Sequence, residues 1–340
     1  MIRRLLQKIT FQKEIRPNVK DLADELIQMK NIDIARYNRI NEDFSTIFPS
    51  VYFDAYSHDD NSESTIEIKE KQSSRSESTK HAFNILESAS GYREVLYLLS
   101  QRSQNEDNIL VLDEPALHLH PNKIRHLGRL LSSSSRQIIL ITHSPYFVDV
   151  TMFGLNRSLI YVRRNKNRSS KAISRTGSSI DIKSYIFDPA CFFSINNILV
   201  EGPGDAAVFF AISDALNSVF EKYNVTVINA TGVGHVDPYV KIMEDYNVSY
   251  IALVDEHYEG KYKQSRNLVR LKGKLEHELN RAGWNGSLET SIDPDEAYDF
   301  VFQTIRNGNK DKIRALEIGN IFDESLKRIG ENPDDLWMLV

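Results

Sequence analysis

Apolar residues recur at three- and four-residue steps near the start of the chain, through Leu22, Leu26 and Met29, with charge between them. That spacing lines one face of a helix, so residues 1 to about 45 read as helical. From 57 to 80 the chain turns polar, as HDDNSES, an alternating TIEIKEK and then QSSRSESTK. This reads as a mobile loop around one exposed strand. Two short apolar runs follow, Ile109–Leu112 and Ile138–Thr142, separated by a helix-like stretch from Asn122 to Leu131. Strand, helix, strand at this spacing is the pattern of a parallel βαβ unit. After a connector at 151–195 a second alternation begins. Strands are expected at Asn197–Val200, Val225–Asn229 and Tyr250–Val254, and helices at Asp205–Phe220, Val236–Tyr246 and Leu268–Ala282. No internal repeat is visible. The expectation is an α/β chain with one domain over 1–150, the connector, and a second domain over 196–340.

Length agrees, since 340 residues at about 150 per domain favour two domains. With 41% hydrophobic and 26% charged residues the chain has ordinary globular material for real cores. Its 42 Lys and Arg against 47 Asp and Glu give a net charge of −5, which excludes a globally basic nucleic-acid binder but not a local basic patch. A single cysteine rules out an internal disulfide and a Cys-rich zinc site, and fits a reducing cytoplasm. No stretch approaches the roughly 18 apolar residues of a membrane span. MIRRLLQKIT is basic but lacks the apolar core of a signal peptide. The expectation is a cytoplasmic chain with no membrane partner.

The most specific passage is ILVLDEPALHLHP followed by IILITHSP. A strand ending in Asp113 and Glu114 sets two carboxylates at the edge of a parallel sheet where ligands sit. In a nucleotide hydrolase the first supports magnesium and the second polarises water. His143 follows the next strand and emerges at the same edge. Upstream, SASGYREVL puts Ser90 and Gly91 at a helix start, where bare N–H groups form an anion site. Taken singly, an Asp-Glu pair is most simply a solvated turn and a lone histidine no more than a loop residue; the ordered set is what carries meaning. In that order these motifs resemble an ABC-type ATPase head of the sort found in SMC and OLD-family proteins. The resemblance makes Ser90–Gly91 the signature motif, Asp113 and Glu114 Walker B, Ala116–Pro121 the D-loop region and His143 the switch histidine. No G-x-x-x-x-G-K-[ST] occurs in the 340 residues, so the phosphate cradle of that family is not among them. ATP is therefore expected only with a P-loop supplied by a missing N-terminal region or a partner chain.

In the second half, NILVEGPGD is a strand ending in Glu201, a glycine-rich turn and Asp205, and about fifty residues later YIALV ends in Asp255. Strand-end carboxylates from neighbouring parallel strands can share divalent cations, which phosphodiester cleavage needs. Each acid alone is most simply a turn residue. Together LVEGPGD and ALVD resemble a Toprim domain, and an ABC head followed by Toprim is the order of OLD-family (overcoming lysogenization defect) proteins. By that resemblance Glu201, Asp205 and Asp255 match metal ligands, with Glu276 a further acid on the following helix. Lys310 or Lys312 matches a lysine that stabilises the scissile phosphate. Where the family has Asp-x-Asp this chain has Asp255-Glu256-His257; His257 would favour Mn²⁺ over Mg²⁺, since imidazole suits magnesium poorly.

Six cations without an acid, Lys261, Lys263, Arg266, Arg270, Lys272 and Lys274, read either as a solvated helix face or as a DNA backbone grip. The segment RRNKNRSSKAISR carries another six. Cys191, between apolar neighbours, reads as a buried hydrophobe, and Trp284 carries no assigned role. The leading expectation is metal-dependent DNA cleavage by the Toprim half, within a homo- or hetero-oligomer that supplies the P-loop, in the manner of antiphage defence nucleases. Two alternatives stand beside it. One is a non-catalytic assembly or nucleic-acid-binding subunit, and the other an inert truncated product with a bare sheet edge.

Overall fold

A computed structural model describes residues 9–12, 18–57, 64–71, 82–103, 109–115, 118–148, 158–164, 169–176, 187–338 and 340. The chain divides into two compact units, 1–148 and 149–340.

The first unit runs β1 (Ile9–Gln12), α1 (Val19–Ile32), α2 (Ile34–Ile47), β2 (Val51–Ser57), β3 (Ser64–Glu70), β4 (Ala82–Asn84), α3 (Ser90–Ser103), β5 (Ile109–Asp113), α4 (Pro121–Ser132) and β6 (Ile138–Ile141). The expected βαβ unit is present, with β5 and β6 parallel in the register Leu110↔Ile138. The expected helix over 1–45 is corrected at its start. Ile9–Gln12 is a strand, parallel to β5 with Ile9 opposite Ile109, so β5 lies at the centre of a three-stranded sheet. A four-residue run is too short to register against helical periodicity. From Val19 onward the segment is two helices, capped by Asn18 and Asp33, whose side chains accept from Lys20 and Arg36 N–H groups, while 1–8 and 13–17 lie outside the described residues. Leu22, Leu26 and Met29 are buried as expected.

The alternating TIEIKEK segment is not exposed. It forms β3, the middle strand of an antiparallel sheet, and Ile66 and Ile68 are buried in one core with Leu22, Leu26 and Phe53. Its polar letters sit on the opposite face, which is why the pattern resembled a solvent strand. The serine-rich stretch after it, 72–80, lies outside the described residues. On β6, Ile138 and Leu140 face the core while Ile139 and Ile141 are 42% and 45% exposed. Among the described residues β6 pairs with β5 alone.

The second unit runs β7 (Ser158–Arg164), β8 (Ser170–Thr176), β9 (Asn196–Val200), α5 (Pro203–Ala215), α6 (Val219–Tyr223), β10 (Val225–Asn229), α7 (Val236–Asp245), β11 (Tyr250–Val254), β12 (Leu268–Arg270), α8 (Leu275–Arg281), α9 (Pro294–Thr304), α10 (Lys310–Arg314), α11 (Glu317–Ile329) and α12 (Pro333–Trp337). Its sheet has the order β10-β9-β11-β12, every pair parallel. Both central strands are buried along their whole length, as a parallel sheet covered on two faces requires.

Two expected helices differ. The one from Asp205 breaks after Ala215, where Asn217 and Ser218 take left-handed backbone (φ 65° and 55°) before α6. The one over Leu268–Ala282 is an edge strand, a turn at Gly273 (φ 123°) and then α8. The apolar pair Leu268–Val269 is used by β12, so helical spacing across that junction was coincidental. Cys191 is fully buried, and burial pushes its thiol up. Trp284 is buried too, with its indole N–H donating to Glu296 at 3.0 Å.

Candidate active site

Two strand ends and the first turn of a helix meet at one edge of the second unit's sheet. β9 delivers Glu201 and β11 delivers Asp255, because the two strands are adjacent and in register from Tyr250↔Asn197 to Ala252↔Leu199. The backbone N–H of Asp255 donates to Glu201 Oε1 at 3.0 Å, which ties the two acids together. Asp205 comes from the first turn of α5 rather than a strand end. Its Oδ2 accepts from Gly202 N–H at 3.1 Å, so the carboxylate caps the helix that starts in the glycine-rich turn. Glu276 follows on α8, buried, with Oε1 accepting from Ile292 N–H at 2.7 Å.

The acids repel one another. Burial, then the charge of Asp255, with smaller contributions from Glu201 and Glu276, pushes the Asp205 carboxyl up to about 7. Burial chiefly raises Glu201; the hydrogen bond from the Asp255 N–H opposes this, and the Asp255 charge adds a smaller upward push. Burial and then Glu276 raise Asp255, against the opposing charges of Lys274 and His257. Glu201, Asp205 and Glu276 each give one oxygen to a backbone N–H, and with Asp255 they make a hard-oxygen set short of positive charge, a chemistry that suits Mg²⁺ or Mn²⁺. Among the described residues no group of three or more Asp, Glu, His or Cys side chains is placed so that it could hold a metal ion as it stands, so binding one requires these acids to draw together.

The other residues expected at this site fall out differently. His257 is 80% exposed, with Nε2 3.3 Å from Glu256 Oε1, so it stands beside the acids and not among them. The Lys310 ammonium donates to the carbonyls of Trp337 and Val340, which makes it a tie between helices. Lys312 is exposed and lines a cleft with Asp299, Gln303 and Asn307.

All six cations of the 261–274 strip are exposed, but on a loop and the edge strand β12, not on a helix face. Lys263 is paired with Glu259 at 2.7 Å, and Arg270 donates to the Tyr258 carbonyl at 2.6 Å. A clamp that no sequence motif announced fixes this loop. The buried Tyr258 hydroxyl donates to Asp237 Oδ1 on α7, and the Lys261 N–H donates to Oδ2 of the same carboxylate at 2.8 Å. Gly260 is needed there, since a Cβ would lie 2.2 Å from the Tyr258 oxygen.

In the first unit, Glu114 and His143 meet as the sequence expected. Glu114 Oε1 accepts from the His143 N–H at 2.8 Å, and the imidazole Nε2 lies 3.7 Å away with its side chain 93% exposed. Thr142, not singled out by sequence, donates its hydroxyl to Glu114 Oε2 at 3.3 Å. Glu114 has φ 46°, a backbone state costly for a residue with a side chain. Asp113 is the last residue of β5. Ser90 and Gly91 do open α3, but Gly91 is buried, and a Cβ there would lie 2.8 Å from Leu119 Cδ2. Close packing on the 118–119 loop explains this glycine without an anion. Of the D-loop stretch, 116–117 lies outside the described residues.

Comparison with known proteins gives two domain matches in chain order. The model for "AAA domain, putative AbiEii toxin, Type IV TA system" matches residues 6–149, and "Overcoming lysogenization defect protein-like, TOPRIM domain" matches 192–256. The OLD nuclease of Thermus scotoductus (strain ATCC 700910 / SA-01) is 25% identical over 245 residues, covering 67% of this chain. The chain spans about half of that relative, 46% of its length. Among solved structures, the C-terminal region of the Burkholderia pseudomallei OLD protein covers 42% of this chain and 99% of its own, at 16% identity and a TM-score of 0.24. The Smc head domain from Pyrococcus furiosus bound to the C-terminal domain of ScpA covers 44% of this chain and 38% of its own, at 19% identity and a TM-score of 0.31. An AAA-type domain followed by an OLD-like Toprim domain, together with the similarity to an OLD nuclease over 67% of the chain, supports an OLD-family protein.

Proposed function

We propose that the Toprim unit cleaves DNA phosphodiester bonds with divalent cations held by Glu201, Asp205 and Asp255. The observation that carries this is the convergence of the three carboxylates at one sheet edge, with Glu201 bonded to the backbone of Asp255. When bound, the metal supplies charge neutralisation and an activated water. The chain's own contribution is to fix the acids. Asp205 is held by the helix it caps, Glu201 by Asp255, and Glu276 sets the charge around them from behind. Lys274, whose charge is felt by Asp255, stands at the end of the basic loop and orients a phosphate backbone toward the acids.

ATP linkage belongs to the same reading. The Glu114–Thr142–His143 cluster has the form of a water-polarising site, and it would act on nucleotide cradled by a P-loop from another segment or chain. The outward Ile139 and Ile141 of β6 support such an addition, because two half-exposed isoleucines on a parallel sheet ask for a covering layer. The functional form is therefore an oligomer acting on DNA, with a role in antiphage defence and a cytoplasmic site of action. No helix among the described residues is long and apolar enough to cross a membrane.

Nicking of supercoiled plasmid tests the chemistry. Glu201→Ala and Asp255→Ala each abolish nicking with Mg²⁺ or Mn²⁺, while Glu221→Ala, exposed on α6, leaves it intact. Alanine variants that nick like the parent would sink the proposal. Absence of parental cleavage with either metal, even beside a P-loop-bearing chain, would transfer it to the non-catalytic binding subunit.

A further inference from the structure

The segment read as a connector contains a two-stranded antiparallel ribbon. β7 and β8 pair over seven positions, from Ser158↔Thr176 to Arg164↔Ser170. One face is anchored. Leu159, Tyr161 and Arg163 are half-buried, the Tyr161 ring lies 5.7 Å from Phe192, and Arg163 donates to the Asn247 carbonyl at 3.4 Å. Among the described residues the other face is uncovered. Ile160 and Val162 are 56% and 63% exposed, and opposite them stand only Ser174 and Ala172. Arg164 and Lys171 are exposed at the end where the strands join.

Charge separates the candidate occupants. Residues 158–176 hold six Lys and Arg and no acid, in a chain whose net charge is −5. A ribbon built to dock on a protein through Ile160 and Val162 has no use for so one-sided a charge. A polyanion does. Two strands side by side also fit the B-DNA major groove, about 12 Å wide, which admits a two-stranded ribbon. The small residues of β8 keep the exposed face low, and the two β-branched side chains on β7 suit thymine methyls and sugar edges.

We propose that the β7–β8 ribbon is a second DNA contact, entering the major groove of duplex DNA with Arg164 and Lys171 on the flanking phosphates. It shares with the nuclease reading only that the partner is DNA, and it needs neither metal nor the acid cluster.

The test is binding of a 30-base-pair duplex, by fluorescence anisotropy in EDTA across a salt series, so that no cleavage intervenes. Removing two phosphate contacts in Arg164→Ala/Lys171→Ala lowers affinity at least about fivefold and flattens the slope of log affinity against log salt by about 2. Ile160→Ser/Val162→Ser weakens binding at least about threefold with the slope unchanged, since no charge is lost. Lys222→Ala/Lys327→Ala, exposed on α6 and α11 of the same unit, changes neither. Unaltered thermal midpoints show that the ribbon variants fold. Parental affinity and slope in both ribbon variants would overturn the proposal. So would a fall in oligomeric mass on Ile160→Ser/Val162→Ser with DNA affinity retained, which would make the face a protein interface. If Glu201→Ala still nicks while the ribbon variants lose binding, the nuclease reading fails and this one stands.

Discussion

Asp205→Asn should stabilise the metal-free protein while destroying its response to metal. The folded chain holds the Asp205 proton more tightly than an unfolded chain does, with its carboxyl raised from 3.8 to about 7. Stability tied to that proton is fully present below 3.8 and lost as the pH rises through about 7. At 1.36 kcal/mol per pH unit the ionised acid costs up to about 4 kcal/mol at pH 8. Asparagine keeps an oxygen for the Gly202 N–H and carries no charge, so it recovers much of that cost, about 1–4 kcal/mol. For a unit of this size that is roughly 3–12 °C in melting midpoint. Both tryptophans, Trp284 and Trp337, are buried in the second unit, so intrinsic fluorescence follows its melting alone. In EDTA at pH 8 the variant should melt above the parent, and at pH 5.5 the gap should shrink to about half, because the cost accumulates over the interval from 3.8 to about 7 and is only partly reached there. Saturating Mn²⁺ should raise the parent by RT ln(1 + [Mn²⁺]/Kd) and leave the variant behind. A variant that melts below the parent at pH 8, or a gap independent of pH, would refute the account of crowded carboxylates.

Gly319→Ala should cost at least about 2 kcal/mol in chemical denaturation, because its Cβ would lie 2.6 Å from backbone atoms of Ile313 and Arg314, which cannot step aside. Lys310→Ala should lower the second unit's melting midpoint by about 2–6 °C through the lost carbonyl ties, with plasmid nicking by the folded fraction unchanged. A selective loss of turnover would instead return Lys310 to the scissile phosphate. His257→Asp should raise nicking with Mg²⁺ relative to Mn²⁺, since a hard oxygen then stands beside the acids.

Much of the site was legible because strand-end acids are short-range facts. An apolar run ending in LVEG or ALVD puts its carboxylate at a sheet edge whatever the rest of the chain does, and β9, β11, Glu201 and Asp255 fell where the pattern placed them. The β5–α4–β6 unit and the Glu114–His143 meeting were readable for the same reason. The tertiary structure alone decided what depends on a distant partner. Ile9–Gln12 is a strand only because β5 offers it a parallel edge, and Ile66 and Ile68 of TIEIKEK are buried only because β2 and β4 flank the strand and α1 packs on one face. Lys310 became a helix tie because Trp337 and Val340 return to it, and Glu276 is spent partly on Ile292. The Asp237–Tyr258–Gly260 clamp spans 24 residues with no periodicity to betray it. Sequence set which residues carry charge and where strands end; burial and long-range hydrogen bonds, which no local pattern encodes, set which of those charges remain available for chemistry.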